Sequence, residues 1–161
     1  MVCHNGSSRG TGRIVRARAA CYATRAMATL TFPDVPPKGA FVSMDDIRRL
    51  CEAKDLPRLW LRIAADPPPK PFMSDGCSLF FNQLANINIY PACFFHDLKY
   101  WSGYPAATPE ERLERFAADA ELMVDVASLG ADFFIAETMF RGVRTGGGPG
   151  SLPFSWGFGR M

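Results

Sequence analysis

The chain has 161 residues, 48% apolar and 21% charged, which suits one globular domain with a modest core rather than a disordered polypeptide. Its net charge of +2 hides an asymmetry: residues 1–33 hold five arginines (Arg9, Arg13, Arg16, Arg18, Arg25) and no acid, so taking those five away leaves −3 on the remainder. That remainder is not basic, which argues against a nucleic-acid-binding domain, and no run approaches the roughly 18 consecutive apolar residues of a membrane span.

In the N-terminal segment, Arg16, Arg18 and Arg25 interrupt every candidate apolar core of a secretory signal. Its arginine-rich, acid-poor composition leaves three readings open: an organelle transit peptide, a disordered tail, or a start assigned too far upstream, with Met27 and Met44 as later starts. Residues 1–40 read as irregular. Ser43 is a natural N-cap for a short helix from Met44 to about Lys54, which Pro57 stops. A second short apolar piece, Leu59 to Ala65, runs into Pro67-Pro68-Pro69-Lys70-Pro71, a stiff extended spacer. The spacer reads as the clearest boundary, separating a helical piece over 41–71 from a functional module over 72–161.

Ser74-Asp75-Gly76-Cys77 reads as a tight turn in which Gly76 is free to take a positive φ. Residues 78–90 read as a loop, and a helix is expected from about Pro91 to Trp101, ended by Ser102-Gly103. The next helix carries the strongest local signals: Thr108 as cap, Pro109 in its first position, Glu111 as capping-box partner, and Gly130 as stop. Its apolar stripe reads as Leu113, Phe116, Ala117, Ala120, Val124 and Ala127. A third helix, about Asp132 to Arg144, leads into the glycine run 146–150, which lacks the Lys-Ser/Thr of a phosphate loop and reads as a connector. Phe154, Trp156 and Phe158 then either close the core or enter a membrane interface. With no repeat and no convincing strand pair, the fold class is all-α.

The chemistry centres on His96 and Asp97. Adjacent helical positions diverge by about 100°, so the two side chains take separate roles, His96 standing with Tyr100 one turn on. A histidine base needs an acceptor for its other ring nitrogen. The neighbouring helix offers Asp119 and Asp125. On a wheel starting at Leu113, Asp119 falls at about 240°, on the edge of the apolar arc, and Asp125 at about 120°, in solvent. Asp119 is therefore the expected partner. Asp75, on a turn with exposed carbonyls, is a second hard oxygen donor beside Asp97, and one loop plus one helical carboxylate makes half of a calcium cage. Two other metal chemistries lack residues: a histidine-rich phosphohydrolase site has only His4 to add, and Cys77, Cys93 and His96 lack zinc-site spacing.

Cys93-x-x-His96-Asp97-x-x-Tyr100 resembles the active-site helix of the secreted phospholipases A2. The Ser74–Cys77 turn, its gap to Pro91-Ala92-Cys93, and Asp119 within Ala118-Asp119-Ala120 are more similar to the compact bacterial and fungal branch, and to a little-characterised bacterial group, than to the animal enzymes. The resemblance spans roughly residues 73–128. It implies a small helical core with two antiparallel active-site helices and calcium-dependent hydrolysis of a glycerophospholipid acyl ester. His96 would activate water, Asp119 would orient His96, and Tyr100 would support the pair. Asp75, Asp97 and the Gly76 carbonyl would hold calcium. It also implies a Cys77–Cys93 disulfide, against which the alternative is two buried free thiols. A phospholipid or membrane surface is the implied partner, and a secreted or periplasmic location follows from the same resemblance. The glycine-rich calcium loop of the animal enzymes and the cysteine doublet before the helix are absent here. The rival reading is a catalytically silent module that keeps the helical core and binds membranes or proteins.

Overall fold

A computed structural model describes residues 32–78 and 80–161 of the chain; the arginine-rich segment, with Cys3, His4, Cys21 and Met27, lies outside the described residues. The described residues are mostly helical: α1 (Met44–Ala53), α2 (Pro57–Ala65), α3 (Tyr90–Ser102), α4 (Pro109–Ser128) and α5 (Phe133–Gly146). Contrary to the expectation of no strand pair, a hairpin joins β1 (Gln83–Leu84) to β2 (Ile87–Asn88) within the loop before α3.

Local signals explain where most of these helices begin. Ser43 accepts a hydrogen bond from the Asp46 amide at 3.1 Å, and Asp45 and Asp46 sit in the first turn of α1, where the helix dipole favours negative charge. Pro57 opens α2 and Pro109 opens α4, positions where a missing N–H costs nothing. Thr108 caps α4 by accepting from the Glu111 amide at 3.2 Å. The reciprocal half of the expected capping box does not form. The Glu111 carboxylate instead accepts from the Tyr104 amide at 3.1 Å and from the Trp156 indole at 3.0 Å, tying the start of α4 to the C-terminal tail.

α3 is the central element. Ten of its thirteen residues are buried, and it is apolar on nearly every side, the mark of a helix surrounded by protein. Phe94, Phe95, Leu98 and Trp101 enter one apolar cluster with Val42, Ile47, Cys51, Ile63, Phe72 and Trp156. Ala92 and Cys93 enter a second with Leu122, Val126, Ala136 and Met139 of α4 and α5. Residues on both sides of the proline run thus share the first cluster, so that run is a connector within one core. The Cys51 thiol is free, and burial pushes it up to about 11.

The aromatic tail closes this core: Trp156 and Phe158 are buried, and the Trp156 indole donates to the Tyr104 carbonyl at 2.9 Å. Two glycines are required there. A Cβ at Gly103 would sit 2.4 Å from the Trp156 ring, and one at Gly159 would sit 2.4 Å from the Trp101 ring.

The buried face of α4 differs from the expected stripe. Leu113, Phe116 and Val124 are exposed, and the residues turned inward are Ala118, Asp119, Leu122, Asp125 and Val126. Asp125 is therefore not a solvated charge. It pairs with Lys54 at 3.1 Å, both side chains nearly buried, and so pins the end of α1 to α4. Two aspartates on the inner face defeat a rule that places polar residues outside.

Candidate active site

The site is assembled from three pieces: the middle of α3, the inner face of α4, and the turn before the hairpin. Cys93 shares a cluster with Leu122 and Val126, whereas Tyr100, two turns on, hydrogen-bonds Asp119. Rising numbers on α3 meet falling numbers on α4, so the two helices lie antiparallel. This pairing sets His96 opposite Asp119, with His96 Nε2 2.9 Å from Asp119 Oδ1. Asp119 is fully buried and His96 nearly so.

A buried carboxylate must have partners, and Asp119 has three hydrogen-bonding ones, His96, Tyr100 and Arg144, with a fourth group, Arg115, farther off. Tyr100 Oη donates to its Oδ1 at 2.6 Å, and Arg144 Nη1 donates to its Oδ2 at 2.7 Å. Arg115, one turn earlier on α4, brings its Nε to 3.8 Å from Oδ2. Burial alone would raise the Asp119 carboxyl, but the bonds from His96 and Tyr100, with Arg144 behind them, hold it below its usual range. Tyr100 is driven the other way by burial and by the Asp119 charge, so its hydroxyl stays a donor. Its ring also packs on His96, the centroids 4.2 Å apart.

Burial keeps the His96 imidazole below its ordinary value despite the opposing pull of Asp119, so the ring is neutral at neutral pH. A neutral ring beside an ionised carboxylate carries its proton on Nε2, the nitrogen that faces Asp119. Nδ1 is left with no hydrogen-bond partner among the described residues. His96 also lines a cavity of about 90 Å³ walled by Leu122, Met139, Val143, Leu152 and Phe154. The free nitrogen of a neutral, oriented imidazole in an apolar cavity has the chemistry of a general base.

The second part of the site is carboxylate-rich. A disulfide joins Cys77 to Cys93, closing a 16-residue separation worth about 3 kcal/mol in loop entropy, and ties the Ser74–Cys77 turn to α3. Gly76 adopts φ +80°, and a Cβ there would sit 2.4 Å from Asn82 Oδ1, which itself accepts from the Cys77 amide at 2.8 Å. Ser74 Oγ donates to Asp97 Oδ2 at 2.6 Å and accepts from the Gly76 amide at 3.1 Å. Burial, and then the charge of Asp75, push the Asp97 carboxyl well above the carboxylate range. Burial raises Asp75 as well, while the Ser78 hydroxyl bonded to its carboxylate and the charge of Lys38 work against this.

Neither Asp97 nor Asp75 forms an ion pair with a basic side chain among the described residues. A buried carboxylate raised by the charge of a half-buried neighbour fits a hard divalent cation such as calcium, which takes oxygen ligands and would offset both negative charges. Among the described residues no group of three or more His, Cys, Asp or Glu side chains converges as a metal cluster, so further oxygens would have to come from backbone and water.

All of the sequence-expected site residues thus fall in two adjoining groups: His96, Asp119 and Tyr100 in one, Asp75, Gly76 and Asp97 in the other. The sequence reading missed Arg144, Arg115, Ser74 as the Asp97 partner, and Asn82. Arg115 was discoverable, since it stands four residues before Asp119 on one helix. Arg144 lies on the next helix, and only tertiary packing brings it in. No family model, no curated protein and no solved structure matches this chain.

Proposed function

We propose that this chain is a small phospholipase A2-like hydrolase that cleaves an acyl ester of a glycerophospholipid with a water activated by His96. The reading is carried by one observation: His96 Nε2 is held 2.9 Å from a buried carboxylate while Nδ1 remains free beside an apolar cavity. In this scheme Nδ1 takes a proton from water as that water attacks the ester carbonyl. Asp119, kept ionised by Tyr100 and Arg144, steadies the imidazolium so formed. The same nitrogen then returns the proton to the departing lysolipid alkoxide. Leu122, Met139 and Phe154 shelter the acyl chain from bulk water, and Tyr100 is a positioning residue. Asp75, Asp97 and the Gly76 carbonyl are the groups that would hold calcium. When bound, calcium supplies positive charge that polarises the ester carbonyl and draws the substrate phosphate. A phospholipid surface is then the partner, and a secreted or periplasmic setting suits the disulfide.

A second reading draws on the size of the cavity. At about 90 Å³ it is smaller than the roughly 300–1,000 Å³ of ordinary small-molecule sites. Phe81, Phe133 and Phe134 are meanwhile exposed, as a binding module's surface would be. The alternative is a catalytically silent phospholipase A2-like module that binds membranes or proteins. Fatty-acid release from phosphatidylcholine vesicles, with calcium and with a chelator, separates the two. We expect calcium-dependent release that falls about 10²–10⁴-fold in His96→Gln. No such release, or a variant equal to wild type, leaves only the silent module.

A further inference from the structure

Three arginines line a single cavity of about 310 Å³ on the far side of Asp119 from His96: Arg112 and Arg115 of α4, and Arg144 of α5. Glu111 and Trp156 complete much of its wall. The charges here do not cancel. The Glu111 carboxylate is already committed to the Tyr104 amide and the Trp156 indole. Asp119 answers Arg144 and Arg115 from behind the wall, and it also serves His96 and Tyr100. Arg112 has no acidic partner among the described residues; one of its amino groups is spent on the Ala107 carbonyl. Even with both acids counted, the three guanidinium groups leave an excess of positive charge.

The donors are in excess as well. Arg115 gives Nη2 to the Arg144 carbonyl at 2.7 Å and turns its buried Nε towards Asp119, 3.8 Å from Oδ2, which leaves its Nη1 without a hydrogen-bond partner among the described residues. The glycine run passes directly over it, a Cβ at Gly148 falling 3.2 Å from Arg115 Nη1. The larger cleft of about 550 Å³ between α2 and α4 behaves differently: there Arg62 pairs with Glu114 and Lys99 with Glu121.

We propose that the Arg112–Arg115–Arg144 cavity is an anion-binding site for a phosphate group, distinct from the His96 cavity and independent of the hydrolase reading. A planar carboxylate offers two oxygens in one plane. A tetrahedral phosphate, with a charge between −1 and −2, offers oxygens to guanidinium forks arriving from two helices. The phosphate can come from solution or from a lipid headgroup, and the recognition chemistry is the same.

The test uses the full chain at fixed ionic strength. One arm titrates inorganic phosphate by calorimetry; the other measures binding to phosphatidylcholine vesicles with and without phosphatidic acid. Arg112→Gln is the informative variant, because Arg112 does not touch Asp119. Arg58→Gln, in the neutralised cleft, is the control. We expect saturable binding of one phosphate per chain, weakened about tenfold or more by Arg112→Gln and unchanged by Arg58→Gln. If free phosphate does not saturate but phosphatidic-acid vesicles bind with the same dependence on Arg112, the source is a lipid headgroup and the site stands. No binding in either arm, or equal losses in Arg112→Gln and Arg58→Gln, overturns it.

Discussion

At the scale of single residues, the balance around Asp119 decides how the site behaves. Burial by itself would raise this carboxyl, and three donors from α3 and α5 hold it below its usual range. Its folded value lies below the ordinary 3.8, so the unfolded chain binds a proton at a pH where the folded chain does not. The stability that Asp119 contributes is therefore fully present above about pH 4 and is lost as pH falls below it, through the folded value. Comparing urea-unfolding midpoints of wild type and Asp119→Asn from about pH 6 down to pH 2.5 checks this: the gap should narrow on the acid side. A constant gap would mean that Asp119 is not charged in the folded state. The pairing of His96 with Asp119 was legible in the sequence, but the route to it was flawed. Asp119 does not border a face made by Leu113, Phe116 and Val124; it belongs to the buried face itself, tolerated there because cations and a hydroxyl meet it.

Among the elements, α4 shows why the sequence pattern misled. Leu113, Phe116 and Val124 repeat at helical spacing and look like a core stripe, yet they face outward. Phe116 packs instead against Phe140 of α5 at the surface, the ring centroids 5.9 Å apart, with the Arg144 guanidinium over its ring. The inner face spends two of its positions on Asp119 and Asp125, and periodicity cannot know that each finds a basic partner. The Lys54–Asp125 pair is the sharper case, because the partners lie 71 residues apart. Removing one member of a buried pair strands the other, so Lys54→Ala should cost about 3–5 kcal/mol in chemical denaturation. The double variant Lys54→Met with Asp125→Leu should recover most of that loss. If the single change costs under about 1 kcal/mol, the pair is no more than a surface contact.

For the molecule as a whole, one core runs through segments that look separable. Val42, Ile47, Cys51 and Ile63, all ahead of the proline run, pack with Phe94, Trp101 and Trp156. Val42 and Phe72 also form an antiparallel bridge across that run. A chain cut to residues 72–161 therefore exposes the face of α3 that carries Phe94, Phe95 and Leu98. It should lose cooperative thermal unfolding, as read by near-ultraviolet circular dichroism. A sharp transition close to that of the full chain would show that the core divides at the prolines. At the other end, Trp156→Ala should lower stability by about 3–5 kcal/mol, since its ring fills the space that Gly103 leaves open.

Sequence alone determined the helices, because caps, prolines and helical spacing act within a few residues of themselves. It also determined the residues of the two groups that form the candidate site, through Cys93-x-x-His96-Asp97-x-x-Tyr100, the Asp75 turn and Asp119. Only the tertiary structure decided which face of α4 turns inward, that Lys54 neutralises Asp125, that Arg144 braces Asp119, and that the aromatic tail seals the core. Each of those depends on contacts between residues far apart in the chain. Their free energy comes from desolvation and charge pairing across elements, which no local pattern records.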